Sequence, residues 1–262
     1  SFPTSGEAGG LASNTEKYYS FDYANIHVIS LDSHDENRNT GSPMLTWLEN
    51  DLAATTQEWI IVMFHHPPYS KGSHDSDDSS EERMIQMREN VLPICESYGV
   101  DLVLSGHSHA YERSKLINGH YGFSNTYDPV LHDIDGGNGQ LNGSGAYQQN
   151  SSEEGTVYVV TGSAGGSSPV GNHPVMYFSK DQVGSTILEV NGSQMDVKFL
   201  NESGVVEDSL TLVQNGQPVV NWTNPSNGNL FINLDPIVLN VDAFDNNGNV
   251  TQVEYFVNGV SI

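Results

Sequence analysis

Two segments of the 262-residue chain concentrate side chains that ligate metals through nitrogen: His65-His66-Pro67-Pro68-Tyr69 and Gly106-His107-Ser108-His109. In an extended segment the side chains of residues i and i+2 share a face, so His107 and His109 can turn together toward one metal ion or two neighbouring ones. Gly106 lets the backbone bend close to such an ion. His65 and His66 are adjacent, so extended geometry sends them to opposite faces: one is expected to reach the metal while the other packs or hydrogen-bonds elsewhere. The single cysteine, Cys95, excludes an internal disulfide and a thiolate cage, which leaves nitrogen and oxygen ligands.

The elements that would position these histidines can be read around them. Residues 59–64 and 100–105 are apolar runs of strand length, as buried sheet strands are, and each ends where a histidine segment begins. In α/β sheets, ligands bind outside the carboxyl ends of strands, so two successive strands ending in histidine bring their imidazoles to one rim. Upstream, 18–23 and 25–31 read as strands bounded by turn residues. Ser42-Pro43 is a helix cap followed by a proline at the first helical position, and Leu45, Leu48 and Leu52 supply a buried stripe to about Ala54. A further helical stretch over about 80–98 is interrupted by Pro93, which predicts a kink or two short helices. Strands are expected at 156–162, 187–190 and 195–200, after a long Gly/Ser/Asn loop from about 133 to 155.

Composition changes near residue 214. All 9 Lys and Arg and all 10 His precede it, whereas 215–262 carries four acids, no bases and eleven Asn. Alternating runs at 236–241 and 250–257, joined by the turn cluster Asp245-Asn246-Asn247-Gly248-Asn249, read as the opening strands of a β-sandwich. Such a sandwich takes roughly 100 residues, so the expected domains are 1–214 and 215–262, the second truncated. The net charge of −24 excludes a broad electrostatic grip on nucleic-acid phosphates. The longest wholly apolar stretch, 59–64, is far short of the roughly 20 residues that span a bilayer.

Beyond the histidine pairs, Gly106-His107-Ser108-His109-Ala110-Tyr111-Glu112-Arg113 resembles the last signature block of the purple acid phosphatases, a branch of the calcineurin-like metallophosphoesterases. Val62-Met63-Phe64-His65-His66-Pro67-Pro68-Tyr69 resembles the block before it. The wider superfamily shares the Gly-His-x-His, and the following Tyr-Glu-Arg points to the purple acid phosphatase branch. The resemblance runs from Tyr18-Tyr19-Ser20-Phe21 through Tyr158-Val159-Val160-Thr161-Gly162. It implies an α/β (α+β) fold, here part of a four-layer αββα sandwich, with a binuclear centre of Fe(III) and a divalent metal (Zn, Fe or Mn). It further implies hydrolysis of phosphate monoesters by metal-activated hydroxide. Carried over by position, His65 and His107 would hold the divalent metal and His109 the iron, while His74 would touch phosphate or help protonate the leaving group. The segment after 214 resembles bacterial immunoglobulin-like modules, through Val253-Glu254-Tyr255-Phe256-Val257-Asn258-Gly259.

The family's three earlier ligand blocks, which supply an Asp, a bridging Asp with its Tyr, and an Asn, have no counterpart in these residues. Gly171-Asn172-His173-Pro174 imitates the last of them out of order. The chain is therefore expected to carry half of the ligand set, to lack the N-terminal half of the catalytic domain, and to be inactive or nearly so by itself. Other readings stay open: a nucleotide phosphodiesterase of the same superfamily, or a non-catalytic calcium-binding surface module. A small phosphate ester is the expected partner, and a secreted or cell-surface location follows from the resemblance and the acidity.

Several residues carry plainer expectations. Tyr111, Glu112 and Arg113 read as scaffold, with Arg113 and Glu112 as an ion pair. His66 reads as a supporting group. His27, His34, His120 and His132 read as surface or loop histidines, and His173 as a loop residue that could face the site. Asp75, Asp77, Asp78, Glu81 and Glu82 read as a solvated run leading into a helix start. Asp133-Ile134-Asp135-Gly136-Gly137-Asn138-Gly139 has oxygen ligands at calcium-loop spacing but Ser144 where such a loop needs Glu.

Overall fold

The computed structural model describes residues 8–149, 155–214, 219–224, 240–244, 253, 256–257 and 260–261. It divides into two units, Ser1–Val213 and Gln214–Ile262.

The first unit is built on a seven-stranded mixed sheet. Strands β1 (Tyr19–Tyr23) and β2 (Ile26–Ser30) form an antiparallel hairpin. From β2 the sheet continues in parallel through β3 (Trp59–Met63) and β4 (Leu102–Ser105). Helix α1 (Pro43–Ala54) connects β2 to β3. The Ser42 hydroxyl accepts the Leu45 N–H at 3.4 Å, Pro43 opens the first turn, and Leu45, Leu48 and Leu52 are buried. Between β3 and β4 the chain forms α2 (Glu82–Gln86), a π-helical turn (Met87–Val91) and α3 (Leu92–Ser97), with Pro93 in the first turn of α3. Proline lacks an N–H, so the first turn of a new helix is where it costs least.

Strand β5 (Tyr111–Ser114) follows the second histidine segment directly. Two short strands, β6 (Leu116–Ile117) and β7 (Asp133–Asp135), pair with each other across the short helix α4 (Pro129–His132) that leads into β7, and β8 (Tyr147–Gln149) follows. Part of the stretch expected as loop over 133–155 is thus strand: β7 and β8 find partners in β6 and a second sheet, which local composition does not reveal. Strands β9 (Val157–Thr161) and β10 (Met176–Lys180) complete the large sheet, in the order β1-β2-β3-β4-β9-β5-β10. The hairpins of β11 (Gly184–Asn191), β12 (Gln194–Asn201) and β13 (Val206–Gln214) form a four-stranded sheet with β8 at its edge.

Two cores cover the two faces of the large sheet. On one face Ile29, Val62, Phe64, Val103 and Tyr158 pack with Leu48 of α1 and Val91 and Leu92 of the later helices. On the other, Trp59, Ile61, Leu102, Val157 and Val159 meet Met195, Val197, Phe199, Leu210 and Leu212 of the four-stranded sheet. The layers are helix, sheet and sheet, three of the four that an αββα sandwich holds. Alternation along β12 and β13 delivers this second core, since every second residue points inward.

Arg113 and Glu112 do not pair with each other. Neighbours on a strand face opposite ways, and Arg113 instead forms a buried bidentate pair with Asp208 of β13, Nε at 2.6 Å and Nη2 at 2.9 Å. Tyr111 gives its hydroxyl proton to the same carboxylate at 3.0 Å. His27 is likewise not a surface residue. It is 1% exposed and lies between the carboxylates of Asp22 (2.6 Å) and Asp51 (2.9 Å). His120 and His173 are also buried.

In the second unit, β14 (Val219–Asn224) pairs antiparallel with β15 (Asn240–Phe244), and β16 (Phe256–Val257) with β17 (Val260–Ser261). Residues 236–239 and the turn cluster 245–249 lie outside the described residues.

Candidate metal centre

Strand β3 ends at Met63 and β4 at Ser105, and the chain beyond each is held to its neighbour by backbone hydrogen bonds. Phe64 N–H donates to Leu104 O at 3.1 Å and Gly106 N–H to His65 O at 3.0 Å. This pairing carries the two histidine segments side by side at the carboxyl ends of the parallel strands. His107 adopts φ +61°, a left-handed conformation uncommon outside glycine. Its ring is thereby turned back over the strand ends.

His65 Nε2 and His107 Nδ1 face each other at 3.1 Å. His66 joins them, its ring centroid 4.5 Å from that of His107 and 4.9 Å from that of His65. His65, His66 and His107 each offer a nitrogen within 4.8 Å of the others. The expected divergence of His65 and His66 does not occur, because strand alternation stops at Met63 and the backbone bends at both residues. His66 is buried against Ser33, whose hydroxyl oxygen accepts the His66 backbone N–H at 3.0 Å and lies 2.9 Å from its Nδ1. With the Ser33 O–H free to donate to Nδ1, the proton of the neutral ring sits on Nε2, the arrangement of a supporting group.

His74 stacks on His107 with centroids 3.7 Å apart, and its Nδ1–H donates to Glu81 Oε1 at 2.5 Å. The second Glu81 oxygen lies 3.6 Å from His107 Nε2, and His74, Glu81 and His107 form a second group of mutually close ligand atoms. Glu81 was hidden in the acidic run after His74. Its neighbours are spent otherwise: Asp75 and Asp77 pair with Lys71, and Asp78 accepts from Ser80. The two residues lie in a stretch of turns and bends that ends where α2 starts at Glu82, so no periodic signal marked the pair.

His109 is exposed and belongs to neither group among the described residues. Its backbone is fixed, the N–H donating to Ser73 Oγ at 3.0 Å and the carbonyl accepting from Ser168 at 2.7 Å. His173 does not face the site: it is fully buried beside Tyr69. The calcium-loop residues are engaged elsewhere, Asp133 by Lys115 and the Tyr127 hydroxyl, and Asp135 by the Gly137 N–H.

Burial holds the His65 and His107 imidazoles below the usual histidine range, with neighbouring imidazoles adding to the effect. Burial pushes His66 down to about 3. Neutral imidazole is the form with a lone pair for a metal. Two nitrogens on one tetrahedral ion at about 2.0–2.1 Å are separated by roughly 3.3 Å, close to the 3.1 Å between His65 and His107. The donor set therefore fits a divalent transition metal. An open hollow of about 450 Å³, lined by Leu31, Met63, Phe64, His65 and Leu104, lies beside it.

Residues 3–111 match the calcineurin-like phosphoesterase family and residues 218–262 a bacterial Ig domain. The first stretch, under half of the chain, is thus similar to the calcineurin-like phosphoesterases. Purple acid phosphatases are among the relatives that the chain matches. Purple acid phosphatase 18 of Arabidopsis thaliana is 38% identical over 130 residues, 48% of this chain and 28% of that protein. Probable purple acid phosphatase 20 of the same plant is 33% identical over 139 residues, 50% of this chain and 30% of that protein. The chain therefore spans less than a third of the length of these relatives. Among solved structures, purple acid phosphatase PPD1 from yellow lupin (Lupinus luteus) seeds shares the fold, with a TM-score of 0.59 at 23% identity over 76% of this chain and 33% of that one. No helix among the described residues is long and apolar enough to cross a membrane.

Proposed function

We propose that the chain carries the histidine part of a binuclear metal centre that hydrolyses phosphate monoesters. The supporting observation is the convergence of His65 Nε2 and His107 Nδ1 at 3.1 Å, from the ends of two adjacent parallel strands. His65 and His107 would hold a divalent ion (Zn, Fe or Mn), and His109 the Fe(III) partner. When bound, such a pair of cations neutralises phosphate oxygens and acidifies a water molecule for in-line attack.

His74 gives its Nδ1 proton to Glu81, which fixes the tautomer and leaves Nε2 to meet a phosphate or leaving-group oxygen. The same carboxylate faces His107 Nε2 and orients that ring through its far edge, as outer-sphere carboxylates do for ligating histidines. Ser33 holds His66 beneath both. The metal-competent groups among the described residues contain histidines and Glu81 only, too few donors for two ions, so the remaining ligands are assigned to chain beyond residues 1–262. The Ig-like match supports a secreted or cell-surface protein.

The test is p-nitrophenyl phosphate hydrolysis with added Fe(III) and Zn(II) or Mn(II), before and after chelation, alongside His107→Ala. Residues 1–262 are expected to give slow, metal-dependent phosphate release that His107→Ala abolishes. Metal-independent turnover, or a wild-type rate in His107→Ala, overturns the assignment. Turnover at the rate of a complete two-metal hydrolase overturns the claim of a partial ligand set.

A further inference from the structure

We propose that Glu112 is a positioning residue for His74: its buried carboxylate grips the chain at Ser70 and Lys71 and so sets the His74 imidazole over that of His107. The inference rests on the reading of His74 and His107 as site residues, and concerns what places them.

Glu112 is fully buried on β5, three residues beyond His109. Oε2 accepts the Ser70 hydroxyl proton at 2.5 Å and Oε1 the Lys71 backbone N–H at 3.0 Å. Neither of the nearby cations forms an ion pair with it. Arg113 turns to Asp208, and the Lys71 ammonium goes to Asp75 and Asp77. Burial accordingly drives the Glu112 carboxyl up to about 7, against the pull of the Ser70 and Lys71 donors. A buried carboxylate without a cation is costly, and both of its oxygens are spent on the segment that carries His74.

That segment is a closed unit. Ser70 Oγ also accepts the Gly72 N–H at 3.1 Å, and Ser76 returns to Ser70 through its N–H (3.0 Å) and hydroxyl (3.2 Å). Gly72 passes so close to Ser108 that an added Cβ would lie 2.2 Å from its hydroxyl. Ser73 Oγ meets the His109 N–H at 3.0 Å. His74 thus rides on a small ring of chain pressed against the Gly106–His109 turn, and Glu112 is its buried anchor, both oxygens engaged. Ala at 112 removes both acceptors. Gln keeps one oxygen, and Ser70→Ala removes one donor without touching the carboxylate.

The experiment is ring ¹⁵N–¹H correlation of the histidines in the metal-free protein for wild type, Glu112→Ala, Glu112→Gln and Ser70→Ala. His27, bonded to two carboxylates in a distant corner, reports that the fold survives. In Glu112→Ala, His74 and His107 are expected to lose the mutual ring-current shift of stacked imidazoles while His27 is unmoved. Gln should restore part of it and Ser70→Ala should lose part. Should the alanine variant unfold, the Gln and Ser70→Ala spectra decide. Unmoved His74 and His107 signals in folded variants overturn the proposal. Adding Zn(II) to wild type separates it from the functional reading: His107 shifted by zinc with His74 indifferent to Glu112 sinks the positioning role alone. His74 displaced in the variants with His65 and His107 blind to zinc sinks the metal centre alone.

Discussion

Gly162 of the β9 terminus runs directly beneath the Ser108 carbonyl, so that a Cβ added there would sit 2.2 Å from the Ser108 oxygen and 3.2 Å from the Gly106 carbonyl carbon. The turn that presents His107 at 3.1 Å from His65 therefore rests on a position that only glycine fills.

Gly162→Ala is expected to push the 106–109 turn away from β9 and part the two imidazoles. Overpacking of this kind costs about 1–3 kcal/mol. Urea denaturation should show that loss together with weaker zinc binding. Unchanged stability and zinc affinity would show that the turn yields freely.

The Arg113–Asp208 pair joins the large sheet to the four-stranded sheet from full burial. Removing one partner strands the other charge, so Asp208→Ala should destabilise the first unit by about 3–5 kcal/mol. Arg113→Met combined with Asp208→Leu should recover most of that loss, because no buried charge is left. A single variant costing less than about 1 kcal/mol in denaturant titrations would contradict the pair's role.

His173 is sealed beside Tyr69 with Nε2 unpartnered, and burial pushes it down to about 3, well below an unfolded histidine near 6.5. Its folded pKa is depressed, so the unfolded chain binds the extra proton first. Stability should fall as pH drops from about 6.5 toward about 3. His173→Asn, which keeps an acceptor for the Val175 N–H, should flatten that slope. Denaturation midpoints at pH 7, 5 and 4 check this; parallel curves for both proteins would refute it.

With −24 on the chain, an anionic ester approaches against the long-range field. KM for p-nitrophenyl phosphate should therefore fall as ionic strength rises. A flat or rising KM over a salt titration contradicts that.

Much of the scaffold was legible in the sequence, since local signals decide it. Ser42-Pro43 and the 45/48/52 stripe specify α1, Pro93 splits the helical stretch, and the apolar runs ending at the histidines are β3 and β4. What escaped depends on contacts far apart in the chain. Asp208 lies 95 residues from Arg113, and the Asp22 and Asp51 carboxylates that enclose His27 come from two separate elements. At the centre itself, residue types and strand ends pointed to His65, His107 and His109, and the resemblance added His74; in the structure the rings of His65, His74 and His107 lie together while His109 stands outside both groups. The inclusion of His66 and Glu81 required knowing that β3 stops at Met63 and that the chain folds back after Ser76.

The most direct measurement is calorimetric titration of Zn(II) into the metal-free protein at neutral pH, repeated for His65→Ala, His107→Ala and His132→Ala. Tight binding that either of the first two substitutions abolishes, with His132→Ala behaving as wild type, is the predicted result. Zinc uptake that survives the loss of both His65 and His107 would contradict the account at its root.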